Sequence, residues 1–255
     1  MSLAALAMYD WPEVREETDR LWAAIRDSLR NIGVAAPDAL SRDADMWSVW
    51  RDPSLCLGQT CGLPFAAKLA GDVALLGAPV YDLADCPRGT YRSEVIVRAD
   101  DPAPDLAALR GARFAFNMRE SQSGWACFAA QIEDPAAYFG ELIQTGAHRA
   151  SVRAVAGGAA DAACIDAVAW RLAERHDADL TAGLRVIHRT APTPGLPFIT
   201  APRPEETLAR MRLVIETAIE TQPPLVRDAL FLNGFAKKRP EDYAPLAKGW
   251  PAETA

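Results

Sequence analysis

The residues Asn117-Met118-Arg119-Glu120-Ser121-Gln122-Ser123-Gly124-Trp125 place two hydroxyls, an amide and a glycine directly after an apolar run, Arg113 to Phe116, that reads as a strand. A helix beginning at this turn presents unpaired backbone N-H groups and the positive end of its dipole, and Ser121, Gln122 and Ser123 add short polar groups. With Gly124 allowing close approach, that combination suits a cluster of phosphoryl-type oxygens without a lysine. The same residues also suit an ordinary helix cap, in which Ser121 or Ser123 serves its own backbone.

A second chemically loaded position follows. The segment from His148 through Val155 reads as a short helix ending at the Gly157-Gly158 pair, followed by a small apolar strand that delivers Asp166 at its carboxyl end. In open α/β sheets ligands bind at such strand ends. Asp166 there suits a cationic or hydroxyl part of a ligand, or the N-cap of a following helix from Ala167 to Arg175.

The elements needed to position these groups alternate. A strand from Leu3 to Met8 leads through Asp10, as cap, and Pro12 into a helix reaching Asn31, with Trp22, Ile25 and Leu29 as its buried stripe. A strand from Ser54 to Leu57 feeds Gly58-Gln59-Thr60-Cys61-Gly62 and a short helix to Ala70. Another strand, Val73 to Leu76, stops before Pro79. This alternation predicts parallel strands with helical crossovers. Tyr91 to Arg98 then reads as a long strand passing to a second lobe, which contains a short helix from Asp105 to Leu109, the Ser121 turn and Asp166. The chain returns near Leu184 to Arg189, and a helix from Pro204 to Thr221 packs on the first lobe. The reading is two α/β lobes, with residues 1–95 and 190–255 forming a discontinuous first lobe and 96–189 the second.

Composition narrows the function classes. The 255 residues are 50% apolar, enough for one large core or two moderate ones, and no apolar run is long enough to span a membrane. A net charge of -7 with scattered Lys and Arg argues against a nucleic-acid surface. The three histidines have no compact ligand spacing, so neither a metal nor another cofactor is expected. Of the five cysteines, Cys61 and Cys86 fall in strand-exit loops, where the sequence leaves their pairing open, while Cys127 and Cys164 read as small buried residues. Cys61, His148 and Asp166 can be assembled on paper into a nucleophilic site, but their types and spacing have little specificity.

The ordered motifs Tyr9-Asp10, Gly58-Gln59-Thr60-Cys61-Gly62, Tyr91-Arg92-Ser93, Phe116-Asn117 with Ser121-Gln122-Ser123-Gly124, and His148-Arg149-Ala150-Ser151 with Ala163-Cys164-Ile165-Asp166 resemble the phosphate/phosphonate-type periplasmic solute-binding protein family. The resemblance runs from about Met8 to Thr200 and includes the branch of uncharacterised ABC-transporter binding components. It implies a type II periplasmic-binding-protein fold with an interlobe ligand cleft. It also implies a monomeric receptor that captures a small phosphorylated or phosphonate anion for an ABC permease, without converting it. By the same resemblance Ser121, Gln122 and Ser123 meet the oxyanion, Tyr9 and Tyr91 supply aromatic contacts, and Asp166 suits an amino group. Gln59, Thr60 and Gly124 complete the expected ligand set. The family's more familiar pattern has threonine where this chain has Gln122. The expected location is periplasmic if a leader precedes this chain and cytoplasmic otherwise, where the same fold would act as a ligand sensor without transport.

Overall fold

The computed structural model describes residues 2–132 and 134–251. The chain divides into two compact units, the first running to Thr90 and resuming from Pro194 to Ala247, the second spanning Tyr91–Thr193 and taking up the chain again from Lys248. The first contains strands β1 (Leu3–Ala5), β2 (Leu55–Gln59) and β3 (Ala74–Tyr81). At the crossing lie β4 (Thr90–Tyr91) and, on the return, β10 (Thr193–Pro194). The second unit contains β5 (Ser93–Arg98), β6 (Arg113–Phe116), β7 (Glu141–Gln144), β8 (Ala162–Asp166) and β9 (Leu184–Arg189). Strands β11 (Phe198–Thr200) and β12 (Leu232–Ala236) belong again to the first.

In the first unit the order is β1-β2-β11-β3-β12. Only β1 and β2 pair in parallel; β11 is antiparallel to both β2 and β3, and β12 is antiparallel to β3. The first three strands run in one direction, as expected, and the sheet is mixed because the returning chain inserts β11 in the opposite sense between β2 and β3 and adds β12 beside β3. The third strand also passes through Pro79 instead of ending before it. Strand β11 reaches only Gly77, so β12 is the strand paired at Pro79, and a residue without an N-H is tolerated where the other side carries no ladder.

Helices cover both faces of this sheet. Helix α1 (Arg15–Asn31) buries Leu21, Trp22, Ile25 and Leu29 together with Met211, Ile215 and Ile219 of a second long helix, Glu205–Glu220, against Leu57, Leu76 and Phe235. Removing Ile25 or Leu29 from water contributes roughly 1.5–3 kcal/mol each. Phe65, Leu69 and Tyr243 cover the other face against Leu55, Leu75 and Ile199. The start of α1 differs from expectation. A 3-10 turn over Pro12–Val14 precedes the helix and Trp11 occupies the cap position without a side-chain bond. Asp10 thus lies too early to cap, and its carboxylate instead accepts from Arg42 Nε at 2.6 Å.

The second sheet has the order β7-β6-β8-β5-β9. Its centre is parallel, β6 with both β7 and β8, while β5 is antiparallel to β8 and β9. Every partner of Ser93–Arg98 is a second-unit strand, and the predicted 91–98 strand is interrupted at Arg92. Stacked rings at Phe114, Phe128 and Phe139, with centroids 4.4 to 5.7 Å apart, fill the core beside Val95, Val97 and Cys164. Strand β7 was not legible beforehand. It lies at the sheet edge with no fully buried residue, so the apolar alternation that marks a half-buried strand is weak. All five cysteines are thiols, so the Cys61–Cys86 bridge is not formed. No described helix is long and apolar enough to cross a membrane.

Candidate functional site

The three parallel strands of the second unit end side by side, and the chain that leaves each carries a polar group. From β6 come Asn117 and the Ser121–Gly124 turn; from β7, His148 at the start of helix α2 (His148–Ala156); from β8, Asp166 at the start of helix α3 (Ala167–His176). Parallel strands release their following segments at one edge, so residues far apart in sequence gather there.

The turn is both cap and cluster. Ser121 Oγ accepts from Gly124 N at 3.0 Å, starting a π-helical turn over Gln122–Ala126. Because that bond uses an oxygen lone pair, the Ser121 hydroxyl proton stays available to another acceptor. Ser121 Oγ lies 3.5 Å from Ser123 Oγ, and Ser123 Oγ lies 3.0 Å from His148 Nε2. Asn117 Nδ2 approaches the same ring nitrogen at 3.4 Å. Ser123 and Asn117 thus converge on Nε2, while Asp166 N lies 3.4 Å from Nδ1 and a hydrogen bond with the Cys164 backbone also reaches the ring. Although the residue retains some exposed surface, desolvation of its ring holds His148 down to about 4, and its place at a helix N-terminus acts in the same direction. The imidazole is neutral near pH 7.

Gly124 is required by space. A Cβ there would lie 1.8 Å from Asn117 Oδ1, so the amide can reach His148 only past a residue with no side chain. Asn117, Ser121, Gln122 and Ser123 are all buried, and Arg119 stacks over Trp125 at 4.0 Å, adding a positive charge beside the turn.

Asp166 is 2% exposed and its Oδ1 accepts from Val168 N at 2.8 Å and Ala169 N at 3.2 Å. The cap reading is therefore realised. A hydroxyl 3.0 Å from an imidazole also has the form of a nucleophile and its base, but the arrangement lacks the orienting carboxylate of a triad. What approaches His148 Nδ1 from Asp166 is the backbone N, at a long 3.4 Å, while the carboxylate's Oδ1 caps the helix start. Cys61, the paper nucleophile, belongs to the other unit.

In the first unit Tyr9, Gln59 and Thr60 follow the carboxyl ends of the parallel pair β1 and β2. Tyr9 meets Tyr81 edge to face with centroids 5.0 Å apart, and Gln59 Nε2 donates to Tyr81 OH at 3.1 Å. Thr60 is fully buried, with its N-H donating to Pro197 O at 3.1 Å. Tyr91, also buried, opens the second unit. Sequence reasoning gave no ligand role to Asn117, His148 or Tyr81. A signal existed for Asn117, a polar residue immediately after a predicted strand; His148 needed β7, and Tyr81 needed the extension of β3 through Pro79.

The structure resembles three solved proteins over nearly its whole length. PhnD1 from Prochlorococcus marinus, in complex with methylphosphonate, superposes with a TM-score of 0.75 at 17% identity, covering 97% of this chain and 96% of that one. A binding-protein component of an ABC phosphonate transporter from Pseudomonas aeruginosa gives 0.75 at 13% identity, covering 98% and 84%. A Xanthomonas citri protein bound to ATP gives 0.72 at 18% identity, covering 98% and 96%. At these identities the likeness establishes the two-lobe type II periplasmic-binding-protein fold. No match was found among curated proteins. The family model described as the periplasmic phosphonate substrate-binding protein of ABC transporters matches residues 62–243, well over half of the chain. The chain therefore belongs to this family, the solute-binding components that capture a small anion for an ABC permease rather than convert it.

Proposed function

We propose that the ligand is a small phosphonate or phosphate ester whose oxygens are held by Ser121, Gln122, Ser123 and the turn at Gly124, with Asn117 and His148 in support. The observation that carries this is the convergence of Ser123 Oγ, His148 Nε2 and Asn117 Nδ2 within 3.0 to 3.4 Å on a buried turn, with a second hydroxyl beside them. Such a cluster gives neutral, rotatable donors that can turn toward an incoming anion, each charge-assisted bond contributing roughly 1.5–3 kcal/mol. Asp166 reads an ammonium group where the ligand carries one. Tyr9, Gln59, Thr60 and Tyr91 remain proposed contacts to its organic part, and a methylphosphonate complex of a similarly folded protein supports the ligand class. A periplasmic, monomeric receptor goes with the reading; fractionation of the native host and sedimentation check both.

Calorimetry with methylphosphonate, an aminoalkylphosphonate and a carboxylate of equal size tests the assignment. The phosphonates bind and the carboxylate does not. The Ser121→Ala/Ser123→Ala double substitution lowers phosphonate affinity by at least about a hundredfold, from two lost bonds to a charged group. Undiminished affinity in the double variant would remove the hydroxyls from the site.

A further inference from the structure

Behind the same turn two thiols converge on one atom. Cys127, in the short helix Cys127–Ala129 that continues the turn, and Cys164, in β8, donate to Ser123 O at 3.1 and 3.2 Å. Cys127 Sγ also lies 3.4 Å from Ser93 Oγ on β5, the strand that pairs with β8 and sets Val95 opposite Cys164. The two sulfurs thus flank one carbonyl oxygen, and each bears on the ionisation of the other. Sequence alone makes each a small buried residue; the fold makes them neighbours.

Their environments are unequal. Hydrogen bonds from Cys164 and from the Ser93 and Thr190 hydroxyls draw Cys127 below the ordinary thiol range, while burial holds Cys164 well above it. Cys127 keeps some exposed surface and Cys164 keeps none. An oxidant thus meets the more readily ionised sulfur first, and the protonated partner stands behind it, the division of labour between an attacking and a resolving cysteine.

We propose that Cys127 and Cys164 form a reversible disulfide that closes behind the Ser121–Gly124 turn and makes the anion site responsive to hydroperoxides. The Cys127 thiolate attacks a peroxide oxygen; the O-O bond breaks, Cys127 becomes a sulfenic acid, and the departing oxyanion takes up a proton. The Cys164 sulfur then attacks the sulfenic sulfur, the S-O bond breaks, and hydroxide leaves with the Cys164 proton as water. Two thiols lose two electrons and one peroxide bond gains them, so with hydrogen peroxide the products are the disulfide and two waters. Closing an S-S bond of about 2.05 Å draws the Cys127 helix toward β8 and removes both S-H donors from Ser123 O. That shift displaces Ser123, so affinity for the anion falls. This last consequence rests on the function proposed above; the disulfide does not.

The full chain is treated with hydrogen peroxide, then with dithiothreitol, and followed by intact mass, peptide mapping and methylphosphonate calorimetry. The expected result is a loss of two hydrogens, a linked peptide joining Cys127 and Cys164, and reversal by the reductant. Methylphosphonate affinity falls at least about tenfold on oxidation and recovers on reduction. Cys164→Ala forms no bridge, leaves Cys127 to accumulate sulfenic and sulfinic acids, and lacks the reversible affinity change; Cys86→Ser behaves as the unsubstituted chain. A Cys127 that stays reduced, bridges to Cys61 or Cys86, or passes straight to sulfinic acid in the unsubstituted chain overturns the redox site. A clean Cys127–Cys164 bridge with unchanged affinity overturns the coupling. A clean bridge in a chain that binds no methylphosphonate in either state sustains the redox site and counts against the phosphonate reading alone.

Discussion

The two units present different chemistry at the carboxyl ends of their parallel strands. In the second, polar groups serve one another: Ser121 caps Gly124, Ser123 meets His148, and Asn117 approaches the same ring. In the first, the corresponding residues include aromatic packing, with Tyr9 against Tyr81, and an amide-to-phenol bond from Gln59. Rotatable neutral donors suit concentrated negative charge, and ring surfaces suit an organic substituent. Under the proposed function charge recognition falls to the second unit and shape to the first, and each half of that division can be broken separately.

The largest expected effect tests whether the second-unit cluster is built around a neutral imidazole. His148 is held at about 4 in the folded chain against an ordinary value of 6.5. Above pH 6.5 the ring is neutral in both folded and unfolded chains and adds no pH dependence. Between 6.5 and 4 the unfolded chain takes up a proton that the folded one refuses, so stability falls as pH drops, by about 3 kcal/mol at pH 4. Urea unfolding at pH 7 and pH 4.5 should show a greater loss in the unsubstituted chain than in His148→Gln. Carboxylates that titrate in the same interval, and the pull of Arg113 that holds Asp161 at about 2, act in both proteins and cancel. Equal losses would mean the ring is solvated.

Gly124→Ala should come next, costing about 2 kcal/mol of stability. The added methyl must push Asn117 away from His148, so phosphonate affinity falls together with the melting temperature. A variant with native affinity would show that Asn117 is dispensable. Asp166→Asn should change the fold little, since asparagine also caps a helix, but it removes the charge proposed to read an ammonium group. Aminoalkylphosphonate affinity should fall by about tenfold more than methylphosphonate affinity, and an equal effect on both would leave Asp166 as a cap alone.

The smallest effect belongs to the first unit. Tyr81→Phe removes the acceptor of the Gln59 amide while keeping the ring against Tyr9, so we expect about 1 kcal/mol or less in stability. Discrimination among phosphonates of different organic substituent should change more than affinity for methylphosphonate itself. A uniform loss across the series would instead place charge recognition in both units and erase the contrast.

Much of the local structure was written in the sequence. Arg113–Phe116 is a strand as read, Ser121 starts the following turn, β8 delivers Asp166, and Asp166 caps the helix it was expected to cap. The short helix read from Asp105 to Leu109 forms over Leu106–Leu109, with Asp105 as its cap. These features depend on residues within a few positions of one another, where backbone hydrogen bonds, side-chain caps and the period of burial are decided by neighbours. The ordered motifs also carried the family and the two-lobe architecture, because a repeated order of short signals over both lobes is itself a property of sequence.

What only the tertiary structure decided involves partners brought together across long stretches of chain. His148 acquires its place beside Ser123 because edge strand β7 pairs with β6. Pro79 lies within a strand because β11 is too short to reach it. Gly124 is explained by Asn117, and Cys127 meets Cys164 through the carbonyl of Ser123. Residue type and spacing state what each group is able to do; strand order and register determine which group it does it with, since a hydrogen bond or thiol contact needs atoms within a few ångströms and only the folded sheet sets that distance.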